Sequence, residues 1–145
     1  MKALLTTLLA ALALVTARAN EGDWLTNFPD ALAKAKKENK LVLLDFNGSD
    51  WCPPCMAIKK NVFASAEFKK YAKDNLVLVD VDFPKKKKQD GKIAAANEAL
   101  MDKFKVESFP TILLVDADGK QVHREEGYDD ETPMDYIAKL KKLRK

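Results

Sequence analysis

"LLDFNGSDWCPPC", residues 43–55, runs from an apolar segment through a polar turn into two cysteines separated by two prolines. Cys52 and Cys55 are the only cysteines in the 145-residue chain. Such a pair can be a strut, part of a metal site or a redox centre. A bridge across two residues closes a very small loop, and chain entropy gives long loops the larger stabilisation, so this pair makes a poor strut. A structural zinc wants four ligands, and beyond these thiols the chain offers a single histidine, His123. It falls in an expected strand as a surface or half-buried side chain, so no metal is expected. Exchange chemistry is the remaining use, and it depends on where the pair sits in the fold.

Upstream of the cysteines, "LVLLDF" (41–46) is too short for a helix and rich in buried-strand residues. "NGSD" (47–50) is turn chemistry. Downstream, Ile58 and Val62 stand at i, i+4 in a helix expected to break near Ala64, where Ser65 caps a continuation holding Phe68, Tyr71 and Ala72. The pair therefore lies between a buried strand and the start of a helix.

The same reading extends outward. "FPDALAKAKKENK" (28–40) is an amphipathic helix with Phe28, Leu32 and Ala35 on one side, and "LVLVDVDF" (76–83) is a second buried strand. "PKKKKQDGK" (84–92) is loop, after which Ile93, Leu100, Met101 and Phe104 mark a helix ending near Lys105. "TILLVD" (111–116) and "QVHREE" (121–126) flank Ala117-Asp118-Gly119-Lys120, a hairpin signal. Thr132 caps a last helix with Pro133 at its first position, closing on the positive "KKLRK" (141–145). Alternating helices and strands followed by a hairpin predict an α/β fold with a mixed sheet covered by helices on both faces.

The N-terminus carries Lys2, an apolar run from Ala3 to Val15, and Ala17-Arg18-Ala19. This is the pattern of a cleavable signal peptide, residues 1–19, and the run is short for a membrane span of roughly 20 residues. Residues 20–145 then form one domain. Removing 1–19 takes Lys2 and Arg18 and no acid, so the formal charge falls from +3 to +1. Nothing in that balance calls for nucleic acid, and a periplasmic or secreted location is expected.

"LLDFNGSDWCPPC" followed far downstream by "SFPTILLVDADGK" (108–120) resembles the thioredoxin superfamily over essentially the whole of residues 20–145. It is most similar to secreted bacterial thioredoxin-like proteins with an extended segment before the second proline motif. The Pro-Pro dipeptide is also similar to that of tryparedoxins and nucleoredoxins. The resemblance implies a thioredoxin-like fold, with an inserted loop and helix before a cis-proline, and a redox-active Cys52–Cys55 disulfide.

At the first turn of a helix, Cys52 faces the positive end of the macrodipole and unpaired N–H groups, which favour thiolate. It is the expected nucleophile, and Cys55, one turn further in and nearer the core, the resolving thiol. Asp45 is costly inside an apolar strand unless paired or protonated, and the resemblance implies a proton shuttle for the resolving thiol. Two departures stand against it. Asp45 lies one residue further from the first cysteine than usual, and Leu78 or Val79 occupies the region where thioredoxins often place a lysine. Asp50 reads as an ordinary turn acid. Phe109-Pro110 resembles the cis-proline element, implying that the Phe109 backbone pairs with an extended substrate segment. Trp51 is expected as an exposed aromatic beside the active sulfur.

Pro53 and Pro54 have no N–H to donate, and no histidine separates the cysteines. Modest acidification of Cys52 and a relatively reducing couple follow. The expected function is a periplasmic protein disulfide reductase, with protein thiols and disulfides as partners and no cofactor. The resemblance implies a membrane thiol relay as electron donor, and a monomer is expected. A thiol oxidase of the same fold and a non-catalytic binding module are the alternatives. The lysine run 85–88 reads as a solvated loop, with docking to an acidic partner or lipid the sharper alternative.

Overall fold

A computed structural model describes residues 24–143; the expected signal peptide lies outside them. Local signals start and stop most helices. Asn27 accepts the Asp30 N–H at 3.0 Å to open α1 (Phe28–Glu38), and Asn39 closes it in the left-handed region. β1 (Leu41–Asn47) then leads to the turn and the cysteines, after which α2 (Pro53–Ile58) continues into a π-helical turn, Lys59–Phe63. The break comes at Ala64, and Ser65 accepts the Phe68 N–H to open α3 (Ala66–Asn75), both as expected. β2 (Leu76–Asp82) follows directly. α4 (Gly91–Phe104) begins two residues before the expected start, because the Asp90 carboxylate takes the N–H groups of Lys92 and Ile93. The hairpin of β3 (Thr111–Val115) and β4 (Gln121–Glu126) and the Thr132-capped α5 (Pro133–Lys142) complete the chain. In the hairpin turn the Asp116 carboxylate accepts from Asp118 and Lys120, and Gly119 takes φ of 83°.

The sheet order is β2-β1-β3-β4. β1 and β2 are parallel, joined by the helical crossover through α2 and α3; β1 with β3 and β3 with β4 are antiparallel. Alternation along β1 divides the core in two. Val42, Leu44 and Phe46 meet Phe28, Ala31 and Ala35 of α1 and Leu100 of α4. Leu43 lies on the other face with Ile58, Val62, Phe68, Tyr136 and Leu140, from α2, the π turn, α3 and α5. The expected mixed sheet with helices on both faces is what forms, and its central strand is the one that delivers the cysteines. Burying each Val, Leu or Phe here contributes about 1.5–3 kcal/mol relative to exposure.

Candidate active site

β1 ends at Asn47, and the turn after it is fastened to the end of β2. Asn47 donates through Nδ2 to Asp80 Oδ1 at 2.7 Å, and its carbonyl accepts the Phe83 N–H at 2.8 Å. The Ser49 N–H and hydroxyl both donate to the Asp82 carboxylate, at 2.9 and 2.6 Å. These bonds hold 47–50 as a fixed ramp, and Cys52 closes it by donating its N–H to Gly48 O at 3.0 Å. Gly48 is required by close approach: a Cβ there would stand 2.4 Å from the Trp51 ring.

Cys52 is the N-cap residue of α2 and Pro53 opens the helix. Cys52 and Cys55 are joined in a disulfide with their Cα atoms 5.3 Å apart. Their burial is nearly equal, at 3% and 2% exposure, so burial does not separate nucleophile from resolving thiol as the expected difference in depth had it. Position does. Cys52 sits at the head of a helical run continuous to Phe63. The Met56 N–H is spent on the Cys52 carbonyl and the Cys52 N–H on Gly48 O, and the prolines have none, so the Cys55 amide is the donor left within the CxxC segment.

An aromatic group gathers around Trp51, the residue before Cys52. Trp51 is half-buried rather than exposed, because it donates Nε1–H to Phe83 O at 2.7 Å and meets Phe109 edge-on at 5.9 Å. Phe109 stacks on Phe83 at 5.1 Å. The Phe109-Pro110 peptide is cis, and the β3 ladder begins only at Thr111, leaving Phe109 just outside the sheet. Phe83 escaped the sequence reading, which took it only as the end of a strand; its partners lie 26 and 32 positions away in sequence.

Asp45 lies two residues before the end of β1, on the sheet face covered by α2, α3 and α5. It is 3% exposed and its Oδ1 has no hydrogen-bond partner. Burial pushes its carboxyl well above the ordinary value of 3.8; Asp80 raises it further, Lys59 opposes and Asp82 adds a smaller rise. The residue opposite Asp45 in register is Asp80, an acid beside the position where the resemblance looked for a lysine. Lys59, one turn beyond Cys55, is the cation that acts on Asp45 instead.

Asp50 is not the ordinary turn acid expected. Its carboxylate accepts the backbone N–H groups of Lys85, Lys86 and Lys87 at 2.9, 2.8 and 2.9 Å. Lys85 in turn places its ammonium 3.7 Å from the centre of the Trp51 ring. No local signal could reveal this, since the partners are 35–37 positions apart. His123 lies half-buried on β4 opposite Leu114. No cluster of His, Cys, Asp or Glu able to hold a metal occurs among the described residues.

A profile for the thioredoxin-like domain matches residues 28–144. The chain belongs to the thioredoxin-like family. Disulfide bond reductase DsbH of Chlamydia pneumoniae is 36% identical over 79% of this chain and 69% of that protein. Thioredoxin-related protein DsbJ of the same organism is 35% identical over 88% of this chain and 38% of that protein. The solved structure of a DsbH oxidoreductase superposes with a TM-score of 0.78 at 35% identity, covering 83% of each chain. This thioredoxin-like chain is a thiol-disulfide oxidoreductase with a CxxC pair, acting on protein thiols and disulfides.

Proposed function

We propose that this chain is a periplasmic protein disulfide reductase. The observation that carries the direction is the helix start itself: Cys52 caps a helix whose first two residues, Pro53 and Pro54, offer its sulfur no N–H. A thiolate with few donors is less acidic, and its dithiol form is the better reductant. Each ~1.4 kcal/mol of lost preference for the dithiol makes the couple about 30 mV more reducing.

In the reduced protein the Cys52 thiolate attacks one sulfur of a substrate disulfide. The substrate S–S bond breaks, a mixed disulfide forms, and the leaving thiolate takes a proton from solvent. The Asp45 carboxylate then accepts the Cys55 proton, and the Cys55 thiolate attacks Cys52 Sγ. This forms the Cys52–Cys55 bond seen here and releases the second substrate sulfur as thiolate. Two electrons pass from the pair to the substrate. The Phe109 backbone, outside the ladder and beside Trp51, pairs with the extended segment that carries the substrate cystine. A membrane thiol relay returns the electrons. Residues 1–19 direct export and are removed, and residues 20–145 act as a monomer. No helix among the described residues is long and apolar enough to cross a membrane.

The test is trapping. Cys55→Ser should hold partner proteins as mixed disulfides through Cys52, while Cys52→Ser should trap none and lose insulin reduction. A reduction potential near that of thioredoxin, about −270 mV, is expected; one near −120 mV would make the chain an oxidant and reverse the direction.

A further inference from the structure

The lysine loop next to the disulfide is built rather than merely solvated. Three successive amides, those of Lys85, Lys86 and Lys87, converge on the Asp50 carboxylate, two positions before Cys52. The Lys85 ammonium lies over the Trp51 ring, and Lys87 Nζ is 3.2 Å from Asp82 Oδ2. Lys86 and Lys88 are exposed, with no ion pair among the described residues.

The neighbouring acids are each held by donors other than the Lys86 and Lys88 ammonium groups. Asp82 is 7% exposed and bound by Ser49 and Lys87; Asp80 is taken by Asn47, Asp50 by the loop amides, and Asp90 by the start of α4. Lys86 and Lys88 thus keep ammonium groups with neither a carboxylate nor a ring partner among the described residues.

We propose that the Asp50-latched loop is a docking lip that favours protein disulfides flanked by acidic residues. This rests on the reductase reading, since it names the substrate class of that site. A polypeptide is the fitting occupant because the lip is tied to the Trp51–Phe109 wall that a substrate segment must approach. A formal charge of only +1 after export leaves no broad basic field for a membrane or nucleic acid. Screening limits the reach to about 8 Å at physiological salt, so acids within two or three residues of the substrate cystine are the ones that count.

The experiment uses the reduced full chain and three peptides carrying one identical disulfide loop, flanked by Glu-Glu, Ser-Ser or Lys-Lys. Single-turnover rate constants should favour the acidic over the basic peptide about two- to tenfold at low salt, two exposed ion pairs being at stake, and converge near 1 M salt. In Lys86→Glu/Lys88→Glu the ratio should fall to one or below. Asp50→Ala keeps all four lysines but frees the loop, and should narrow the ratio, which net charge alone would not do. Equal rates for all three peptides in the wild type, or an unchanged ratio in the double variant, overturn the proposal while leaving the reductase reading intact. Failure to reduce any peptide overturns that reading and the docking lip with it. Sedimentation with phosphatidylglycerol vesicles that is lost in the double variant, without peptide discrimination, overturns the proposal in favour of a membrane surface.

Discussion

Replacing Asp45 by Asn should make the protein more stable and a worse catalyst. The carboxyl is 3% exposed with an unpartnered Oδ1, and burial, Asp80 and Asp82 raise it well above 3.8 against the smaller opposing pull of Lys59. Between 3.8 and the raised folded value, the native protein holds a proton that the unfolded chain has released. The unfolded state therefore binds fewer protons, and stability falls as pH rises, by up to about 1.4 kcal/mol per pH unit across that window. Asn has nearly the same shape and does not titrate. Its stability relative to wild type should grow with pH through the window and level off above it, each kcal/mol moving Tm by about 4 °C. Catalysis moves the other way. A positioned general base contributes about 10²–10⁴-fold, so the Cys55 resolving step should slow by at least ~10²-fold while the Cys52 attack that forms the mixed disulfide is preserved. Urea titrations of the oxidised protein from pH 4 to 9, with stopped-flow resolution of the mixed disulfide, measure both. Parallel stability profiles for the two proteins would refute the buried-acid account, and an unchanged resolving rate would refute the shuttle.

Three other substitutions probe the scaffold and the loop. Gly48→Ala puts a methyl 2.4 Å from the Trp51 ring; overpacking of about 1–3 kcal/mol and a changed Trp51 emission should appear together in a denaturation followed by fluorescence. Thr132→Ala removes the acceptor for the Asp135 N–H at 3.2 Å and should cost about 1 kcal/mol in urea, with the redox potential unmoved. Leu113→Ala, at 0% exposure in the central core, should cost about 2–5 kcal/mol in the same assay. The Asp50 carboxyl is held below 3.8, chiefly by the Lys85 amide; desolvation opposes this, and the Lys87 and Lys86 amides add to the lowering. Its stabilisation is thus fully present above 3.8 and lost as pH falls below that value through the lowered one. Hydrogen exchange should find the amides of 85–87 protected at pH 5, and unprotected there in Asp50→Ala.

Element order was legible because its signals are local. Ser65, Thr132 and Pro133 each act within one helical turn, and the apolar runs at 41–46 and 76–83 are short, β-rich and bounded. The π turn was not legible, since a single wider helical turn leaves the i, i+4 pattern of Ile58 and Val62 intact. The early start of α4 was available in principle: Asp90 is a standard cap, but the apolar periodicity begins only at Ile93.

By itself the sequence settled that Cys52 and Cys55 stand at a strand-to-helix junction, because hydrophobic runs, turn residues and prolines state it within fifteen residues. It settled too that the prolines withhold donors, which is a property of the residue and needs no fold. Tertiary structure alone decided the rest of the site. Pairing β1 with β2 put Asp80 beside Asp45. The same pairing carried Phe83 to Trp51 and set three lysine amides on Asp50. These contacts join residues 32–37 apart; only the parallel register of the central strands determines them, and hydrophobic pattern is silent about which polar groups a register will bring together.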